Sequence, residues 1–232
     1  MDSSLTAALG VGFLLGLRHA LDADHVAAMS AIISEQRGVV RSCVLGTFWG
    51  IGHTLTLLLA GVLMMGFKLT ISPAVEHALE MAVALVVILL GGNVLLRALG
   101  GVHVHRHADV HDSSEHSHLH LHGGVEHVHD HWHLVRAGRK PLLVGMLHAM
   151  AGSGALMLLL LAALPSPGSV LLYILVFGFG STAGMLLLSG LIGIPFAVTA
   201  SRLPQAHITF QALAGAGSLV FGLVMASRLA AG

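Results

Sequence analysis

Six apolar stretches, each long enough to cross a bilayer, constrain this chain more than any other feature. They run over residues 5–33, 43–67, 77–99, 141–164, 169–199 and 207–229. A hydrocarbon core about 30 Å thick takes roughly 20 helical residues. Inside it, backbone polar groups must be satisfied within a helix or a closed barrel. The charge content agrees: only 9% of the 232 residues are Asp, Glu, Lys or Arg, against about 25% in a soluble domain. The expectation is an all-α integral membrane protein with six transmembrane helices. A net charge of zero gives no sign of a nucleic-acid partner, and a single cysteine, Cys43, excludes an intramolecular disulfide.

The first and fifth stretches are near 30 residues, so each either tilts or is a broken helix that lines a site. Gly10, Gly12 and Gly16 in the first, and Gly178, Gly180 and Gly184 in the fifth, permit close helix packing. Met1-Asp2-Ser3-Ser4 lacks the positive start of a secretory signal, so no cleaved leader is expected. Arg37, Arg41, Arg97, Arg106, Arg136, Arg139, Lys140 and Arg202 flank or occupy the first, third and fifth loops, against Lys68 and Arg228 on the other side. The positive-inside rule then places the odd loops in the cytoplasm and both termini outside, in a multi-pass protein of the cell (inner) membrane.

The halves resemble each other. Gly16-Leu-Arg-His19-Ala20 recurs as Gly145-Met-Leu-His148-Ala149, and Gly50, Gly52 and Thr54 fall over Gly178, Gly180 and Thr182. In the third spans Gly92 and Arg97 match Gly222 and Arg228. An odd number of spans per half makes the copies inverted, an architecture in which transporters keep their site at the repeat interface. Three parts are expected: a three-helix repeat over 1–100, a His-rich loop over 101–139 and a second three-helix repeat over 140–232.

Within the first span lies Arg18-His19-Ala20-Leu21-Asp22-Ala23-Asp24-His25. Each ionisable group at bilayer depth costs roughly 2.5–3.5 kcal/mol on insertion scales, and such groups mark ion and proton paths. Imidazoles suit nickel, cobalt, zinc and copper, and the carboxylates offset a dication's charge. At 100° per residue His19, Asp22 and His25 share an arc of about 120°, with Asp24 off that face. All four converge only if the helix breaks, and a break is expected near 21–24. Arg18 either pairs with Asp22 or extends toward the interface. His53 lies between small residues in the second span, one short loop away, and is read as a further ligand. His148, the counterpart of His19, is a ligand, a transfer point or a packing residue. Ser181 and Thr182 stand where the first half has His53 and Thr54, and offer weaker polar contacts.

These residues resemble the signature of the nickel/cobalt transporter family, NiCoT within the NicO group. The family pattern is His, four residues, then Asp-His, here His19, Asp24 and His25. Gly52-His53-Thr54 is similar to its second motif. The resemblance covers all six spans in outline. It implies that His19, Asp24 and His25 are needed for metal transport, with Asp22 and His53 in matching positions. Larger members have eight spans and acidic motifs in the second half, which this chain lacks. The segment from Gly145 to Ser153 looks more like the compact branch associated with nickel supply to urease and hydrogenase.

Of the 18 histidines, 12 lie between His103 and His133. His116, His118, His120 and His122 alternate, as do His127, His129, His131 and His133, on either side of Gly123-Gly124. A hairpin turning at these glycines would bring all eight to one face; a disordered metal-collecting tract is the other reading. The expected function is secondary transport of Ni²⁺ or Co²⁺ as substrate, with no catalytic cofactor and with the lipid bilayer and cytoplasmic nickel metallochaperones as partners. Uptake is expected. Export, and more remotely an intramembrane histidine-box metalloenzyme, are the alternatives.

Overall fold

The computed structural model describes residues 3–100, 103–107, 116–120, 132–151 and 166–231. In chain order the elements are α1 (Ser3–His19), α2 (Ala23–Ser34), α3 (Val39–Phe67), α4 (Pro73–Gly100), β1 (His103–His107), β2 (His116–His120), α5 (Trp132–Met150), α6 (Pro167–Arg202) and α7 (Pro204–Ala231). The helices α3, α4, α6 and α7 are each long and apolar enough to cross a membrane, and α1 with α2 forms a fifth such unit, bent by 53°. The protein is therefore a multi-pass helical membrane protein. The fourth expected span, 141–164, begins within α5, and its second half lies outside the described residues. α5 itself starts earlier than the expected span, and carries Pro141 inside it.

The first span breaks and the fifth does not. α1 ends in a tightened turn, in which the Leu21 and Asp22 amides donate to the Arg18 and His19 carbonyls at 2.9 and 3.0 Å. This three-residue spacing satisfies late carbonyls at a helix end. Asp22 then adopts an extended conformation (φ −62°, ψ 146°) as the N-cap of α2. Asp is a favoured cap, yet its carboxylate makes no capping bond here. The break occupies Ala20 to Asp22, slightly ahead of the expected position. α6 runs unbroken for 36 residues, about 54 Å at 1.5 Å per residue. It starts on strong local signals: Ser166 caps the Ser169 amide, and Pro167 takes the first turn.

Helix packing follows the small residues. α3 lies against α6 and α5, α1 against α6, and α4 against α7. One buried cluster joins Leu9, Leu57, Tyr173, Ile174 and Phe177, and a second joins Met29, Ile33, Trp49, Val83, Val87 and Met185. Leu59, Leu89, Leu187 and Val220 point outward, as a lipid-facing surface requires.

The close approaches come in exchanged pairs. A Cβ on Gly50 would meet Thr182, and one on Gly178 would meet Thr54. Gly16 abuts the Phe177 carbonyl and Gly145 the Trp49 carbonyl; Gly52 abuts Leu142 and Gly180 abuts Phe13. Each contact maps onto its partner when the halves are swapped at a spacing of 128 or 129 residues. In α4 and α7, Gly91 faces the Leu219 amide and Gly215 carbonyl, and Gly222 faces the Ile88 amide and Ala84 carbonyl. There the spacing is 131, so Gly91 is the counterpart of Gly222. The expected match to Gly92 is off by one residue, because Gly92 has nothing within 4 Å of its Cβ position. Gly10 is likewise open, whereas Gly12, Gly16, Gly178, Gly180 and Gly184 are all packed.

In the histidine-rich loop β2 pairs antiparallel with β1, in the register His103 to His120, His105 to His118 and His107 to His116. The ribbon differs from the expected hairpin. His116, His118 and His120 pair with the preceding histidines, and His133 belongs to α5. His122, His127, His129 and His131 lie outside the described residues, as does the Gly123-Gly124 turn. Alternation alone leaves open which neighbouring run a strand joins.

Candidate metal centre

The break in the first span carries His19 at the end of α1 and His25 in the first turn of α2. His53 comes from the middle of α3. One ligand nitrogen from each of the three imidazoles lies within 4.8 Å of the others. Ring centroids are 4.7 Å apart for His19–His25, 5.1 Å for His19–His53 and 5.6 Å for His25–His53. His148, near the end of α5, adds a fourth ring 5.3 Å from His25.

Oxygen acceptors orient three of these rings. His19 Nδ1–H donates to Asp22 Oδ2 at 2.7 Å, and His25 Nδ1–H donates to Asp24 Oδ1 at 3.0 Å. His148 Nδ1–H donates to the Val144 carbonyl at 3.0 Å. A carbonyl or an ionised carboxylate only accepts, so the proton sits on Nδ1 and the Nε2 lone pair is free. The Nε2 atoms of His25 and His148 and both ring nitrogens of His53 are buried without a hydrogen-bond partner. Buried polar atoms left so are rare and cost about 1–3 kcal/mol each. A cation that accepts these lone pairs removes that cost. Metal-bound histidines commonly give their other N–H to a carboxylate or backbone carbonyl, which fixes the ring and raises its basicity.

The cluster has an open side and a closed one. Asp22 and His19 are 45% and 30% exposed, whereas His25 is 1% exposed. Trp49 is fully buried and lies tilted against His148, ring centroids 4.7 Å apart, and the Phe177 ring centroid is 5.5 Å from that of His19. A hydrated ion would meet Asp22 and His19 first, and lose water as it reaches His25 and His53.

All six residues expected at the site are therefore at one place, in two layers. His19, His25 and His53 converge, His148 adjoins through His25, and Asp22 and Asp24 sit behind the rings they bond. Asp22 pairs with His19 rather than Arg18, whose side chain is exposed. Ser181 is buried with an unpartnered hydroxyl, and Thr182 lies 3.3 Å from Thr54 at the α3–α6 crossing. Neither joins the trio. Trp49, Phe177 and the Val144 carbonyl escaped sequence reading, because an aromatic in an apolar run reads as packing and a carbonyl carries no sequence signal.

Comparison with known proteins agrees with this chemistry. Residues 5–211 match the family model NicO, described as a high-affinity nickel-transport protein. The chain belongs to the NicO family. A relative, the urease accessory protein UreH of Bacillus sp. (strain TB-90), is 36% identical over 219 residues, covering 94% of this chain and 90% of its own length. No solved structure matches significantly. As a NicO protein the chain is a membrane transporter rather than an enzyme, with Ni²⁺ as the family's substrate.

The carboxylates behind the rings lead to a measurable expectation. Asp22→Asn and Asp24→Asn keep the side-chain size and remove the charge, and each should weaken Ni²⁺ binding by about 10- to 100-fold. Calorimetry on the purified protein in detergent reads this directly. Wild-type affinity in both variants would show that the carboxylates do not support the rings.

Proposed function

We propose that this chain takes Ni²⁺ into the cell through a centre of His19, His25 and His53, with His148 as a fourth ligand or transfer point and Asp22 and Asp24 as charge-balancing supports. The observation that carries this reading is the convergence of three imidazole nitrogens, two of the rings fully buried, at a break in a membrane span. Co²⁺, whose ligand preferences are close, is the alternative cargo. The exchanged glycine contacts support an arrangement of six spans in two inverted repeats, with the centre near the midplane between them. The arginine distribution supports a cytoplasmic histidine-rich loop with both termini outside.

Flux of Ni²⁺ into sealed proteoliposomes, with Co²⁺ and Zn²⁺ in competition, tests the cargo. Nickel accumulation in cells that overexpress the gene tests the direction. A cytoplasmic histidine-rich loop would also suit collection of metal for export, and cells that lose nickel on overexpression would favour that reading.

In the uptake reading the loop buffers incoming metal and passes it to cytoplasmic nickel metallochaperones. Deleting residues 102–134 should then leave part of the flux intact while lowering apparent affinity or retention. Complete loss of flux in a correctly inserted deletion would refute this division of labour.

A further inference from the structure

α1 and α2 are consecutive in sequence but held by different neighbours. α1 packs on α6, whose backbone touches Gly16. α2 packs most heavily on α7, and then on α4 and α6. Its directional bonds lead to α7 and α4. Ser218 Oγ, buried in α7, shares its hydrogen between the Ala27 carbonyl at 2.6 Å and the Ala214 carbonyl of its own helix at 2.8 Å, and Gln211 Nε2 donates to the Ser34 carbonyl at 2.9 Å. Arg97 of α4 bonds Glu35, one residue past the end of α2, at 3.0 Å. Among the described residues no hydrogen bond ties α2 to α3, α5 or α6. Apart from the His25 ring, which meets His53 and His148, that contact is apolar, with Ala28, Met29 and Ile33 in one cluster with Trp49, Met185, Leu188 and Phe196.

The helices thus sort into two bodies, α1–α3–α5–α6 and α2–α4–α7. Four of the chain crossings between them lie at short non-helical joints: Ala20–Asp22, residues 35–38, residues 68–72, and the single residue Leu203 between α6 and α7. Such joints absorb the φ/ψ changes of a hinge. Apolar contact is non-directional and permits sliding, whereas a hydrogen bond to a helix carbonyl fixes position. The histidines divide along the same line. His19, His53 and His148 belong to the first body, and His25 with Asp24 to the second.

We propose that Ser218 and Gln211 are positioning residues that bind α2 to α7, so that His25 moves with the α2–α4–α7 body and the histidine centre opens along the seam between the two bodies. The moving units cut across the sequence repeats, each repeat giving one helix or more to each body. This inference rests on the nickel-carrier reading above, and its test separates the two.

Full-length protein in lipid vesicles, with Cys43→Ser as background, would carry nitroxide pairs from Gln36, two residues past α2 and bonded through its amide to the Ile33 carbonyl, to Val224 of α7 or to Leu175 of α6. On adding Ni²⁺, the Gln36–Leu175 distance distribution should shift or split while Gln36–Val224 stays single. Ser218→Ala with Gln211→Ala should broaden Gln36–Val224. The same double variant should lower maximal Ni²⁺ flux roughly three- to tenfold, the scale of a lost hydrogen bond in a conformational equilibrium, with KM held within about twofold. A change in Gln36–Val224 with Gln36–Leu175 fixed would overturn the proposal, as would two unchanged distances or wild-type flux in the double variant. If calorimetry shows no Ni²⁺ binding to the wild type, the nickel reading fails instead, and the same pairs measured with Co²⁺ decide the seam.

Discussion

His25→Ala should abolish Ni²⁺ transport and weaken binding by at least about 100-fold. Sites of four nitrogen or sulfur ligands hold a late first-row dication with roughly 10–16 kcal/mol, so one lost ligand removes on the order of 3 kcal/mol. The effect should exceed that of the neighbouring carboxylates, because His25 is the ring that joins the others. It contacts His19, His53 and His148, and its Nε2 is buried without a partner. The alanine variant also frees Asp24 from its ring, leaving a part-buried carboxylate unpaired. Calorimetry and vesicle flux, on protein that elutes as a single species in detergent, check the result. Normal transport by this variant would remove the proposed centre.

Gly16→Leu should lower the thermal midpoint of the detergent-solubilised protein sharply, and reduce the yield of folded material. The site lies in α1 where it crosses α6. A Cβ there runs into the Phe177 carbonyl and comes within 2.9 Å of the Ser181 amide. Those neighbours are backbone atoms of an unbroken helix, so the clash cannot be relieved by turning a side chain. Overpacking costs about 1–3 kcal/mol where neighbours can shift, and more where they cannot. Gly145→Leu, which meets the Trp49 carbonyl, should behave alike, while Gly10→Ala, with nothing within 4 Å, should be silent. Unfolding curves followed by size-exclusion chromatography distinguish these cases. An unchanged midpoint for Gly16→Leu would refute the close α1–α6 crossing.

The membrane spans were legible in the sequence because hydropathy acts locally: a run such as 43–67 must be a helix in lipid, whatever surrounds it. The break at Ala20–Asp22 was legible for a different reason. At 100° per residue Asp24 lies off the face shared by His19, Asp22 and His25, so the four groups can converge only if the helix breaks. The fifth span had equal length but no such residues, and it is continuous. Length alone therefore did not mark the broken helix; chemistry did.

Pairings between distant segments were less legible. Alternating histidines suggested a strand at 116–120 and a partner after Gly123-Gly124, yet it pairs with 103–107, because the run before it carries the same pattern. The third-helix match was one residue out, because apolar helices offer many glycines and only a backbone contact selects among them. Charge left Arg18 either pairing with Asp22 or extending outward; the α1 turn brings His19 to Asp22 and leaves Arg18 exposed.

By itself the sequence determined that this chain lives in a bilayer and which ionisable side chains lie inside its apolar runs. These follow from local composition and spacing, which need no knowledge of neighbours. Only the tertiary structure decided that His53 and His148 reach the first-span histidines, and that Asp22 and Asp24 stand behind imidazoles instead of beside them. It also decided that α2 is tied to α7 rather than to α1. Those facts depend on which small residues let two backbones approach, and on where a bend of 53° sends a helix, quantities that arise only when the segments pack.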